Sequence, residues 1–294
     1  MRRYLFMWWL TACLLMITGC RQQEYMEQRN AVYYWRTTLR LSAAERQFLD
    51  DYKIEKVYCR YFDVVMDDDT QMPRPNATIA FGSDERQLPA HVEIVPTVYI
   101  TEDCMHQRHD SLAARLVGRI LQMNETHGIE HVRELQMDCD YTSRSRQNYY
   151  DFLEEVRRLA DEHRLTLSAT IRLHQLQMKA PPVDYGVLML YNTGDPRRFE
   201  ERNPILDIRD VQPYAEHLPH YKLPLAAAYP VYRWIRDVQG VRIEHTVEAD
   251  EILEVKALAE RKRPELRQTI ITYHLDEENI DRYKPETYEA IYHH

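Results

Sequence analysis

Glu134-Leu135-Gln136-Met137-Asp138-Cys139-Asp140-Tyr141-Thr142 decides how this chain folds and where its chemistry sits. A strand turns successive side chains to opposite faces, so Gln136, Asp138 and Asp140 share one face while Leu135, Met137 and Cys139 share the other. Two carboxylates on one face of a strand covered on both sides are costly unless they are paired or put to use. The stretch therefore reads as a buried strand, and as the first place to look for function.

Outward from it, strands and helices alternate. Val32 to Arg36 reads as a first strand, and Ser42-Ala43-Ala44-Glu45 forms a capping box opening a helix with Phe48, Leu49 and Tyr52 on one face. Residues 56–65 give a second strand, followed by an acidic, proline-containing loop over 67–76. A short extra strand over 78–81 precedes a third at 91–101, and Leu112, Leu116, Val117, Ile120 and Leu121 mark an amphipathic helix. Beyond the Asp-bearing strand, Tyr149, Phe152, Leu153, Val156 and Leu159 line a helix capped by Thr142 or Ser143.

The fifth and sixth strands fall at 165–174 and 186–191, a short helix at 211–217, and the seventh strand at 225–231. Residues 236–242 read as a turn around Gly240. A helix over 249–260 then leads to an eighth strand at 269–274 and a closing helix. Strands and helices in this order predict an α/β chain closed into a (β/α)8 barrel of the TIM type. The alternative, an open doubly wound sheet, lacks a Gly-rich phosphate loop after the first strand, and 7 Gly in the chain offer little material for one.

Arg2 and Arg3 precede an apolar run over 5–17, shorter than the ~20 residues a spanning helix needs, so residues 1–19 read as a signal peptide. Ile17-Thr18-Gly19-Cys20 resembles the lipobox of bacterial lipoproteins. That resemblance implies cleavage before Cys20 and acylation of the new amino terminus, and several acyl chains anchor a protein stably. Arg21 stands where lipoproteins held at the inner membrane often carry Asp, which points to the outer membrane within the cell envelope. Residues 20–30 then form the lipidated Cys and a polar tether, and 31–294 a single barrel domain.

The chain is 44% hydrophobic and 11% aromatic with a net charge of -9, an acidic globule without the basic stripe that nucleic acid demands. With Cys13 in the signal and Cys20 acylated, Cys59, Cys104 and Cys139 remain, and their spacing indicates no disulfide framework. Cys59 and Cys139 fall on apolar strand faces, where a free Cys behaves as a small hydrophobe. No cofactor is called for.

Barrel enzymes place their sites at the carboxyl ends of the strands. Those ends carry Trp35 and Arg36, Arg60 and Asp63, Asp138 and Asp140, Arg172 and His174, Tyr191 and Asn192, Tyr229 and Tyr232, and Tyr273 and His274. Aromatic faces mixed with carboxylates and a few cations suit a polyhydroxylated ring. Arg60 and Asp63, three apart, are expected on opposite faces of their strand.

Residues 136–142 resemble the fourth-strand signature of family 18 glycoside hydrolases, Asp-Gly-x-Asp-x-Asp-x-Glu, and Met189-Leu190-Tyr191-Asn192 is similar to that family's sixth-strand Met-x-Tyr-Asp/Asn motif. More broadly the chain resembles a group of bacterial lipoproteins through Tyr33-Tyr34-Trp35-Arg36, Asp138-Cys139-Asp140, the 170–175 stretch and Tyr273-His274-Leu275. The hydrolase resemblance implies that Asp140 orients a substrate N-acetyl group, that Asp138 is its inner partner, and that Tyr191 and Asn192 contact the acetamide. Such substrate assistance departs from the common two-carboxylate scheme. Trp35, Arg36, Arg60, Asp63, Arg172, Tyr229, Tyr232 and His274 become candidate substrate contacts.

The sequence departs from the motif where the family has its general acid, at Thr142, because a hydroxyl cannot usefully protonate a glycosidic oxygen near neutral pH. Leu135 and Gln136 also replace the opening Asp-Gly. Either another group, Asp140, His174 or Asp63, supplies the proton, or hydrolysis is lost. The chain is then a lipid-anchored glycoside-hydrolase-like barrel acting on an envelope or extracellular glycan, N-acetylated sugars included, or else a glycan-binding lipoprotein or an envelope scaffold.

Plainer readings stay open. Asp138 and Asp140 could pair with Arg172, His174 could be a packed core His, and Trp35 and the tyrosines could be packing aromatics. Cys104-Met105-His106-Gln107-Arg108-His109-Asp110 has the donor types of a zinc site, but its spacing matches none familiar, and Asp110 or Ser111 serves equally as a helix cap. Asp67-Asp68-Asp69 lacks the spaced ligands of a calcium loop. No metal is assigned.

Overall fold

Alternating inward and outward side chains build two cores, one inside a closed sheet and one between that sheet and its helices. The computed structural model describes residues 28–82, 88–195, 202–238 and 241–294. Its barrel strands are β1 (Arg29–Tyr34), β3 (Ile54–Met66), β6 (Glu93–Ile100), β7 (Glu134–Cys139), β8 (Thr166–Ile171), β9 (Tyr185–Met189), β10 (Leu225–Pro230) and β13 (Thr269–Tyr273). Each pairs in parallel with the next, and β1 pairs with both β13 and β3, which closes the ring. The architecture is a TIM-type (β/α)8 barrel, as the strand-helix alternation predicts.

Smaller elements decorate the ring. β2 (Thr38–Leu39) pairs with β5 (Ala80–Phe81), β4 (Pro73–Asn76) runs antiparallel to the end of β3, and β11 (Trp234–Val238) forms an antiparallel hairpin with β12 (Val241–His245). The helices are α1 (Ala43–Asp51), α2 (Leu112–His127), α3 (Arg146–Glu162), α4 (Ile208–Ala215), α5 (Ala249–Lys262), α6 (Glu277–Ile280) and α7 (Pro285–Ile291). The capping box opens α1: Ser42 Oγ accepts from the Glu45 amide at 3.2 Å, and Glu45 Oε2 accepts from the Ser42 amide at 2.8 Å.

Leu135, Met137 and Cys139 of β7 lie in the outer core with Val57, Cys59 and Leu167, while Tyr33, Tyr58, Val95, Val187 and Ile271 fill the lumen. Gly186 sits where a Cβ would come within 2.6 Å of Ile171 Cγ1, so β9 can approach its neighbours only without a side chain there.

Four expectations need correction. Arg29 and Asn30, assigned to the tether, pair with Thr269 and Ile270 in the barrel. Residues 236–242 belong to the β11–β12 hairpin rather than a plain turn, with Gly240 outside the described residues. Helix α3 starts at Arg146, because the Thr142 amide donates to Ser145 Oγ at 3.0 Å and holds residues 142–145 in a turn ahead of it. Finally, Arg60 and Asp63 share a face. Arg60 stands opposite Thr97 and Phe62 opposite Val98, so Tyr61 is an extra residue that inverts the alternation.

The signal segment, the Ile17–Cys20 motif and Cys20 itself lie outside the described residues. Among the described residues no helix is long and apolar enough to cross a membrane.

Candidate functional site

The inward face of β7 carries Glu134, Gln136 and Asp138 through the lumen as three polar rungs, each answered by neighbouring strands. At the lowest rung, Glu134 takes Lys56 Nζ at 2.8 Å and the Ser168 hydroxyl at 2.6 Å. Above it the Tyr33 hydroxyl donates to Gln136 Oε1 at 2.8 Å. At the top, Thr170 Oγ1 donates to Asp138 Oδ1 at 2.6 Å. These pairings explain how the barrel tolerates charge at its centre.

Arg172 stands at the end of β8, between the two carboxylates of the quoted stretch. Its Nε donates to Asp140 Oδ1, and its Nη2 lies 3.8 Å from Asp138 Oδ1. Asp138 is buried, whereas Asp140 at the rim keeps 46% of its side chain exposed. Burial pushes the Asp138 carboxyl up to about 6, with Arg172 opposing the rise and Asp140 adding to it. Burial also works against the Arg172 charge, but Asp138 and Asp140 outweigh it and hold the guanidinium protonated.

An aromatic wall surrounds this trio. Trp35 meets Tyr33 edge-on at 5.9 Å, Tyr191 stacks on Tyr273 at 4.8 Å, and Tyr232 leans on Tyr273 at 5.4 Å. Arg60 lies over the Trp35 ring at 5.5 Å and donates through Nε to Asp63 Oδ1 at 2.7 Å. Asn192 holds a left-handed backbone at φ 53°, a conformation Asn tolerates, and accepts from the Tyr232 hydroxyl. The His274 ring lies 6.4 Å from Tyr232, and burial lowers its pKa, so it is neutral near pH 7.

The structure thus brings Trp35, Arg60, Asp63, Asp138, Asp140, Arg172, Tyr191, Asn192, Tyr232 and His274 to the mouth. Two candidates leave it, and a third, His174, turns away from the carboxylates. Tyr229 points into the outer core, because Ala226 and Ala228 are the lumen-facing residues of β10. Arg36 follows the outward Tyr34, covers that ring at 4.7 Å and pairs with the buried Glu45. His174 turns to the Tyr141 carbonyl, 3.4 Å away, rather than to either carboxylate.

Two residues at the mouth escaped the sequence reading. Tyr99 is raised to about 12, chiefly by burial and then by Asp140 and Asp138; its phase with Val95 and Thr97 on β6 could have revealed it. Glu102 accepts from Thr142 Oγ1 at 2.9 Å and from Ser145 Oγ at 2.6 Å, and its Oε2 lies 2.6 Å from His106 Nε2. Burial works against its charge, but those three donors outweigh it and hold the carboxyl below its ordinary range. No local signal announces a partner forty residues away.

The Cys104–Asp110 segment does not converge on a point: Cys104 is buried against Thr101 and the Val64 carbonyl, and His106 faces Glu102. Among the described residues no group of three or more His, Cys, Asp or Glu could hold a metal ion.

No family model and no curated protein sequence matches the chain. Solved structures do. The spore cortex-lytic enzyme SleL of Bacillus cereus superposes with a TM-score of 0.58 at 15% identity, covering 90% of this chain and 73% of the enzyme. A chitinase from Chromobacterium violaceum ATCC 12472 gives 0.56 at 12% identity, covering 90% and 98%. The fold they share with this chain is a (β/α)8 barrel. A class V chitinase from Pseudomonas fluorescens Pf-5 agrees, with a TM-score of 0.57, 13% identity and coverage of 90% and 98%.

Proposed function

We propose that the mouth of this barrel binds a glycan, on a hydrolase scaffold whose acid has been replaced. The observation that carries the proposal is Thr142. Where the motif of family 18 has a carboxylic acid, this chain has a hydroxyl that donates to Glu102. Glu102 itself is held ionised and so makes a poor proton donor. Asp140, which the resemblance makes the orienting carboxylate, is engaged by Arg172. The aromatic wall of Trp35, Tyr191, Tyr232 and Tyr273 needs none of these to hold a sugar ring.

Turnover is the second reading, and Asp138 favours it: a carboxyl raised to about 6 retains a share of its proton close to neutral pH. Mass spectrometry of N-acetylhexosamine-containing glycans incubated with the protein, wild type beside Asp140→Asn, decides between the two. The binding reading expects retained glycan and no new product. A product formed by wild type alone would replace it with hydrolysis.

We further propose that the protein is held at the cell envelope. Arg2, Arg3, the apolar run and Ile17-Thr18-Gly19-Cys20 support anchoring in the cell envelope, at the outer membrane, through acylated Cys20. Metabolic labelling with an alkynyl fatty acid should mark the wild type; equal labelling of Cys20→Ala would refute the anchor.

A further inference from the structure

We propose that the glycan bound at this mouth bears a carboxylate, recognised by Arg172 together with Tyr191. The inference rests on the glycan-binding reading above and specifies its ligand. It starts from two buried donors that the protein leaves without acceptors.

The Arg172 guanidinium offers five N–H groups in one plane. Nε is bound to Asp140, and Nη2 is 3.8 Å from Asp138, too far for a hydrogen bond. Nη1 is buried and has no partner. The Tyr191 side chain is 2% exposed, and its hydroxyl is likewise buried without a partner. Arg172 follows β8 and Tyr191 follows the neighbouring β9, so the two groups stand at the ends of adjacent strands, and each bears on the other's ionisation. A buried donor left unmade is costly, most of all on a charged group, so neighbouring orphans of the same sign point to a missing acceptor.

The protein's own carboxylates do not fill that role. Asp138 spends Oδ1 on Thr170, and Asp140 sits at the rim on the Nε side. A planar fork that retains a free N–H is matched best by a carboxylate, which presents two oxygens in its plane. The charges allow one. Arg60 is balanced by Asp63 and Arg172 by Asp140, while burial favours the protonated form of Asp138. Below about pH 6, where Asp138 keeps its proton, an incoming carboxylate would then meet two guanidinium groups and no uncompensated anion, so its binding should strengthen as pH falls through that value. Trp35, with Arg60 over its ring, supplies the apolar face on which the sugar would rest.

The test is calorimetric titration of the full chain in detergent with acidic oligosaccharides, each paired with its carboxyl-reduced counterpart. Hyaluronan, oligogalacturonate and sialylated probes make up the panel, with chitin oligosaccharides as a neutral reference. At least one acidic probe should bind about tenfold or more tighter than its reduced form, the scale of one charge-assisted hydrogen bond. That ratio should fall to near one in Arg172→Gln and shrink in Tyr191→Phe, whatever the absolute loss of affinity. Equal affinity within every pair overturns the carboxylate while leaving glycan binding intact, as does a ratio that survives Arg172→Gln. If no probe, chitin oligosaccharides included, binds to protein shown to be folded by circular dichroism, the glycan reading fails with it. The wild-type comparison decides even if Arg172→Gln does not fold.

Discussion

Asp138→Asn should make the protein more stable at pH 8 and leave its stability nearly unchanged at pH 3.5. Burial raises the carboxyl from its ordinary 3.8 to about 6. Between those values an unfolded chain has already ionised this group while the folded one still carries the proton. Stability linked to Asp138 is therefore complete below about pH 4 and is lost as pH rises through 6. The loss is about two pKa units, or about 3 kcal/mol. Asparagine carries no charge and keeps an oxygen for Thr170, so it escapes the loss. The attraction of Arg172, 3.8 Å away, is already contained in the raised value, so the gain at pH 8 is about 2–3 kcal/mol. Urea unfolding of both proteins at the two pH values gives the comparison directly. If the variant is less stable than the wild type at pH 8, Arg172 holds Asp138 ionised and the desolvation argument is wrong.

Arg36→Ala should lower stability by about 1–3 kcal/mol in chemical denaturation, because the fully buried Glu45 loses its cation, while glycan affinity stays unchanged. Tyr229→Phe removes a buried hydroxyl that has no partner, so thermal unfolding should shift little or upward, by less than about 1 kcal/mol, and binding should not respond. A clear loss of binding in either variant would return that residue to the mouth. Thr142→Glu combined with Glu102→Gln supplies a carboxyl at the acid position, and general-acid catalysis is worth about 10²–10⁴ in rate. Product from chitin oligosaccharides, read by mass spectrometry, is the expected outcome. Binding without product would locate the block at Asp140, under Arg172, instead.

The barrel was legible because its buried strands leave short, largely apolar runs that alternate with stretches of helical periodicity. The inward phase of β7 was legible too, since polar residues interrupt one face alone. What failed was phase at strand ends. Tyr229 and Arg36 lie one residue out of step with the lumen, and sequence alternation alone does not say which face is inside. The strand period puts Arg60 and Asp63 on opposite faces, and the bulge at Tyr61 brings them onto one. Glu102 was invisible for a different reason: its partners Thr142 and Ser145 arrive through the packing of neighbouring loops, which no local pattern encodes.

Strand β1 opens at Arg29 and, like every strand of a parallel barrel, runs from the floor toward the mouth. The eight residues between Cys20 and Arg29 span at most about 29 Å when fully extended. A protein moored by lipid at Cys20 would keep its floor toward the bilayer and open away from it. Sugars borne on lipids of that same leaflet would then be poorly placed to enter, and polymers approaching from the far side would be favoured. A fluorophore at Met72 or Ile235, exposed on the ribbons beside the mouth, should escape quenchers embedded in the membrane, whereas one at Glu130 on the floor should not. The opposite pattern would turn the barrel over.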